Sequence, residues 1–294
     1  MTTTTGPSTT APQTRPVLDL RGAAAVPLSW LLVVATVVAA GATVLDPGLL
    51  HGTAVMNGSA RGTALVMLLG GVPLLVAGML LARRGSVRAL ALWIGAVAYL
   101  GYNGVMLVFG TPFNAMFLAY DAVLGLAIWT AITLLHRVDV DAYASHVRPG
   151  ARVRAVAVFV WVVVVLNTLA WLGSIVPALT AGWPPAFLVG TGLTTFPTYV
   201  QDLAFWLPLF AVAAWWLWRG RAWGQLLVPG LLLYFALEGV GVAVDQVWGH
   251  LADPASTVVS PSLAPAFAAV AVVCALLAWH LLAHVAPAHR DDRT

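Results

Sequence analysis

Four carboxylic acids, Asp121, Asp202, Glu238 and Asp245, and three amides, Asn103, Asn114 and Asn167, lie inside or at the ends of long apolar runs, with Tyr102 beside the first amide. Hydrocarbon retains such groups only where they have a partner or a task. An acid at mid-bilayer costs about 2.5–3.5 kcal/mol on insertion scales. Glu238 and Asp245 are seven residues apart, two helical turns, and so share one face of a helix. Gly239 and Gly241 between them would let a second helix approach closely. All 14 basic residues are Arg, and none lies in the part of the apolar runs that holds these acids. An unpaired buried carboxyl has three outcomes: it stays protonated, it binds a cation, or water reaches it. All three suit an acidic vestibule lined by Tyr102, Asn103, Asn114, Asp121, Asn167, Asp202, Glu238 and Asp245. The competing expectation is a protonated acid that donates to a backbone carbonyl and serves as helix glue.

Much other chemistry is excluded. Without Lys there is no Schiff-base chemistry, and the chain has no phosphate-binding loop, nucleophile elbow, HExxH, CxxC or dinucleotide fingerprint. No cofactor is expected, and an enzyme is the less favoured class. His280 and His284 have the i, i+4 spacing of a metal-binding pair, with His136 and His289 nearby, but no motif fixes an acid or a cysteine to them. Interfacial histidines at a helix end account for them better. The lone Cys274 sits in an apolar run, cannot form an intramolecular disulfide, and reads as a small packing residue. A net charge of +3 could draw nucleic acid, but the arginines fall in short loops, where membrane topology explains them.

The elements that must hold these groups follow from composition. With 61% hydrophobic and 9% charged residues, the chain is built for lipid. Eight runs have the ~20 residues that cross a bilayer. They lie near 26–45, 62–82, 87–109, 113–136, 154–177, 199–218, 223–248 and 263–286, an all-α polytopic bundle. The stretch Tyr102–Asp121 joins two of them through a very tight turn and gathers Tyr102, Asn103, Asn114, Tyr120 and Asp121 at one end. Every arginine except Arg61 falls on a single side, which the positive-inside rule makes cytoplasmic, with both termini inside. Residues 1–22 read as a disordered Thr- and Pro-rich tail, 23–287 as the membrane domain and 288–294 as a short second tail. Pro73, Pro208 and Pro229 predict local kinks. The 13 tryptophans, many near span ends, fit an interfacial belt. The loop around 178–198 has two expectations, a lid folded back over the helices or a plain connection. An aromatic and an acid recur at the same end of the fourth and sixth spans, Tyr120-Asp121 and Tyr199 with Asp202, a faint sign of an internal repeat.

The run GYNGVMLVFGTPFNAMFLAYD, and later TGLTTFPTYVQDLAFWLPL followed by WRGRAWGQLLVPGLLL, resemble a family of multipass inner-membrane proteins of actinobacterial type that has no assigned activity. The resemblance covers about residues 97–232 and rests on Tyr102, Asn103, Phe113, Asn114, Pro197, Asp202 and Leu203. It departs at Phe196, where the pattern has Asn before Pro. It implies a multispan inner-membrane topology and points to Asn103, Asn114 and Asp202 without giving them a role.

Three functions fit these residues. The first is a small transporter or a cation- or proton-responsive protein of the bacterial cytoplasmic membrane, with an outward acidic vestibule. The second is a partner or scaffold subunit, bound to another protein or to its own copy, whose arginines meet anionic lipid. The third is an enzyme acting on a lipid or isoprenoid substrate through a lateral opening beside Asp121 or Asp202. Convergence of the acids on one cavity favours the first.

Overall fold

Inside hydrocarbon a chain must satisfy its own backbone, and long apolar runs do so as helices. The computed structural model describes residues 16–286 and is helical, with isolated bridges in place of a sheet. Eight helices are long and apolar enough to cross a membrane: α1 (Ala25–Leu45), α2 (Ala54–Arg83), α3 (Val87–Gly110), α4 (Phe117–Leu135), α6 (Val153–Ala178), α7 (Pro197–Trp218), α8 (Ala222–Ala252) and α9 (Pro261–Ala283). A short α5 (Val140–Ser145) lies between α4 and α6. Most of the two expected tails, with Arg15, His289, Arg290 and Arg293, lies outside the described residues.

The longest helix, α8, is central and packs against α2, α9, α3 and α7. On the far side of α3, α4 completes a layer with α1, while α6 leans chiefly on α7. Large apolar side chains such as Leu31, Leu69, Phe109, Leu166 and Leu276 point outward. On a water-facing surface they would drive aggregation; on these helices they meet lipid.

Two helix starts differ from the sequence reading by four residues or more. Helix α2 begins at Ala54, eight residues before the expected 62, so Arg61 stands on a helix and not in a loop. The added segment, residues 54–61, opens on Ala-Val-Met, turns polar from Asn57 and runs into Gly62. Gly58 and Gly62 press on α8: a Cβ on Gly58 would stand 2.5 Å from the Trp248 carbonyl oxygen. Helix α4 begins at Phe117 instead of 113, because Asn114 folds the preceding residues into a turn.

Prolines shape α2 and α7 in the same way. In each helix a five-residue π turn, Met67–Gly71 or Asp202–Trp206, precedes Pro73 or Pro208 by one residue. A proline ring clashes with the carbonyl four residues back and offers no N–H, and a wider turn relieves both problems. Val72 and Leu207 accordingly donate five residues back, to Met67 and Asp202. Pro229, by contrast, lies inside the continuous helix α8.

The ends that carry most of the arginines are stitched together. Asp19 N–H donates to Arg137 O at 3.2 Å and Asp139 N–H to Val17 O at 3.0 Å, so residues 17–19 lie along the chain leaving α4. Ala286 N–H donates to His146 O at 2.7 Å, and Arg88 Nε donates to Val285 O, also at 2.7 Å. Beneath this layer Tyr143 on α5 is fully buried and its hydroxyl has no partner. Burial pushes its phenol above the ordinary tyrosine value. An acid harder to ionise when folded stabilises the protein below its unfolded pKa of about 10, and that contribution is lost as pH rises further. Tyr143→Phe is therefore expected to be neutral or to stabilise by about 1 kcal/mol at pH 7, and to melt later than wild type by a widening margin above about pH 10. A variant that melts earlier at both pH values would show that the hydroxyl has a partner.

Candidate functional site

A polar cluster lies where α2, α3, α7 and α8 meet. Asn103, on the third turn from the end of α3, is 1% exposed. Its Nδ2 donates to Tyr99 O at 3.1 Å, one turn back on the same face, and to Glu238 Oε2 at 3.0 Å. Glu238 stands near the middle of α8, about 24 Å from Ala222 at ~1.5 Å per residue. Among the described residues that amide is the only hydrogen-bond partner its side chain has.

Helix α8 presents Tyr234, Glu238, Gly241 and Asp245 as one stripe, spaced four, three and four residues apart. The hydroxyl of Tyr99 lies over this stripe, 3.5 Å from where a Cβ on Gly241 would stand. Its ring lies against Gly71 in the π turn of α2, where a Cβ would approach to 2.9 Å. Tyr99 is fully buried, yet its hydroxyl has no hydrogen-bond partner.

Asp202, the first residue of the α7 π turn, is buried and accepts from Trp171 Nε1 of α6 at 2.9 Å. Tyr102 turns its hydroxyl toward Asp202 and Thr198. Its ring packs at 5.6 Å from Tyr234 and 5.9 Å from Trp206, and those two stack at 4.8 Å. Neighbouring Gln201 accepts from Trp206 Nε1 at 3.2 Å, which holds the aromatic ring in place. Both π turns thus flank the same part of α3, and such turns recur at functional sites.

Toward the end of α8, Asp245 Oδ1 accepts from Gln246 Nε2 at 2.9 Å, and Gln246 Oε1 accepts from Ser260 N–H at 2.7 Å. Arg61 is near but committed elsewhere: its guanidinium donates to Val44 O at 3.0 and 3.3 Å and stacks 5.5 Å over Trp248. Among the described residues no arginine pairs with Asp202, Glu238 or Asp245.

The structure brings Tyr102, Asn103, Asp202, Glu238 and Asp245 together and places the other vestibule candidates elsewhere. Asn114 bonds its own turn, accepting from Met116 N–H and donating to Pro112 O, both at 2.9 Å, as short amides do. Asp121 is exposed on the first turns of α4, and Asn167 is half-buried on α6 with no hydrogen bond among the described residues. His280 Nε2 accepts from Arg152 N–H at 3.1 Å, and His284 Nδ1 lies 2.8 Å from His280 O, so both rings join backbone across the arginine-rich end. Among the described residues no group of three metal-ligating side chains occurs. Sequence reasoning passed over Tyr99 and Trp171. The i, i+4 relation of Tyr99 to Asn103 was a usable signal for the first, and nothing in an apolar run marks the second.

The 179–196 segment folds back across the opposite end of the bundle, beside the loops before α2 and α9. Leu188 and Thr191 are buried, Phe187 and Phe196 pack on Tyr199 at 5.2 and 4.7 Å, and Gly190 and Gly192 reach the neighbourhoods of Val258 and Thr53. Beside it a groove of about 440 Å³ opens between α6 and α7, walled by Ile175, Phe187, Phe196, Tyr199 and Leu203.

Compared with known proteins, the chain matches no family, no curated protein and no solved structure. The chemistry of the cluster is what bears on function.

Proposed function

We propose that this is a multipass protein of the bacterial cytoplasmic membrane, with both termini inside, that responds to protons or small cations reaching its polar cluster from the outer side, as a small transporter or sensor does. One observation carries this reading: Glu238 stands midway along the central helix with a neutral amide as its partner and no arginine in reach. An uncompensated carboxylate at such a depth is several kcal/mol unfavourable unless a proton or a cation neutralises it. The arginine-rich ends support the orientation. Melting the detergent-purified protein from pH 4 to 9, with and without added cations, tests the reading. The stability difference between wild type and Glu238→Gln should change with pH or with cation concentration. Parallel curves under every condition would leave Glu238 a packing group and overturn it.

The groove between α6 and α7 favours a second reading, contact with a lipid or isoprenoid chain. Its named walls carry no carboxylate, histidine or cysteine, so it suits holding a chain better than transforming one.

A further inference from the structure

Two separate deficits lie within about one helical turn of each other along α8. Glu238 has a carboxylate without a counter-charge, and Tyr99 has a fully buried hydroxyl without a partner that lies over Gly241, one turn from Glu238. A buried unsatisfied hydroxyl is itself unfavourable by about 1–3 kcal/mol. A water molecule would satisfy the hydroxyl and leave the charge; a proton on Glu238 would remove the charge and leave the hydroxyl. A small cation would neutralise the charge and bind a lone pair of the hydroxyl oxygen at once. We infer that Tyr99 Oη, Glu238 and Asn103 form a binding site for a single alkali-metal cation between α3 and α8. The inference deepens the proposed cation or proton response and rests on it.

The donor set fits that ion class. Asn103 spends both protons of its Nδ2 on Tyr99 O and Glu238, so its Oδ1, which accepts from no described residue, is left for a ligand. Hydroxyl, amide and carboxylate oxygens suit a hard cation, whereas the soft and imidazole ligands that hold zinc or copper are missing from the cluster. One ligating carboxylate balances one positive charge. Asp245 lies about 10 Å further along the axis at ~1.5 Å per residue and cannot bind the same ion as Glu238. With Gln246 it lies between the site and the loop before α9, where an acid attracts an incoming cation.

The test melts the full chain in detergent micelles at one pH and one ionic strength, in sodium, potassium, lithium and choline chloride. An alkali salt should raise the melting temperature over choline by about 3 °C or more. Tyr99→Phe removes one oxygen and no packing, and should need roughly tenfold more salt for the same rise; Glu238→Gln should abolish the rise. Should Tyr99→Phe fail to fold, Gly241→Ala adds a methyl at ordinary contact distance from the hydroxyl and should weaken binding in its place. Identical melting in all four salts, or an unchanged half-point in Tyr99→Phe, overturns the site. A pH response without an alkali response overturns the site and leaves the broader reading standing; no response to either removes both.

Discussion

Gly95→Val is expected to leave little folded protein after detergent extraction. A Cβ at Gly95 would stand 2.5 Å from Gly230 O and 3.1 Å from Leu233 Cβ, and one at Gly230 would stand 3.0 Å from Ala91 O. These are backbone-to-backbone approaches, so no side chain can swing away. Glycine at such a crossing lets two membrane helices come close enough for dispersion to hold them. Overpacking a core costs about 1–3 kcal/mol where side chains can adjust, and about 3 kcal/mol or more is expected where a carbonyl blocks the way. The consequence reaches the site. Gly95 and Asn103 are eight residues apart on α3, as Gly230 and Glu238 are on α8, so the first contact sets the spacing at which the second forms. Size-exclusion profiles and melting curves would show aggregation or a much lower transition. A valine variant that elutes and melts with wild type would mean that α3 and α8 are held by other contacts.

Asn103→Leu should be the most damaging change among the cluster's polar residues. It removes the donor to both Tyr99 O and Glu238 Oε2 and leaves a carboxyl without any described partner. Leaving a buried polar group without its hydrogen-bond partner costs about 1–3 kcal/mol, and more where that group carries charge, most of it the desolvation of the group left behind. The double variant Asn103→Leu with Glu238→Leu removes both partners and should recover most of that loss, a strongly non-additive cycle. Glu238→Gln alone should be mild, since its side-chain oxygen still accepts from Asn103. Denaturation of wild type, Asn103→Leu, Glu238→Leu and the double variant in one detergent measures the cycle. Additive single effects would show that Asn103 and Glu238 act independently.

The spans were legible because the bilayer imposes one rule on every stretch of chain that enters it. Apolar runs of the required length can only be helices, so α1, α3, α6, α7 and α9 begin within a few residues of where hydropathy places them. The start of α2 was not legible. After Ala54-Val55-Met56 the next residues are polar and include Gly58 and Gly62, which fit closely against α8. The π turns were half legible: Pro73 and Pro208 announced an irregularity, but a proline does not say whether the helix bends, breaks or widens.

Sequence by itself determined that this chain has eight membrane-length apolar helices and that most of its arginines fall between the apolar runs and not within them. These are properties of composition and order, and they hold whichever helices touch. Which acids belong together was decided only by tertiary structure. Asn103 and Glu238 are 135 residues apart, and Trp171 and Asp202 come from different helices. No local pattern specifies those meetings, because the glycine contacts and proline-widened turns that align α2, α3, α7 and α8 act between helices. Asn114 and Asp121 looked equivalent to Asn103 and Asp202 in the sequence, until one folded into its own turn and the other turned outward.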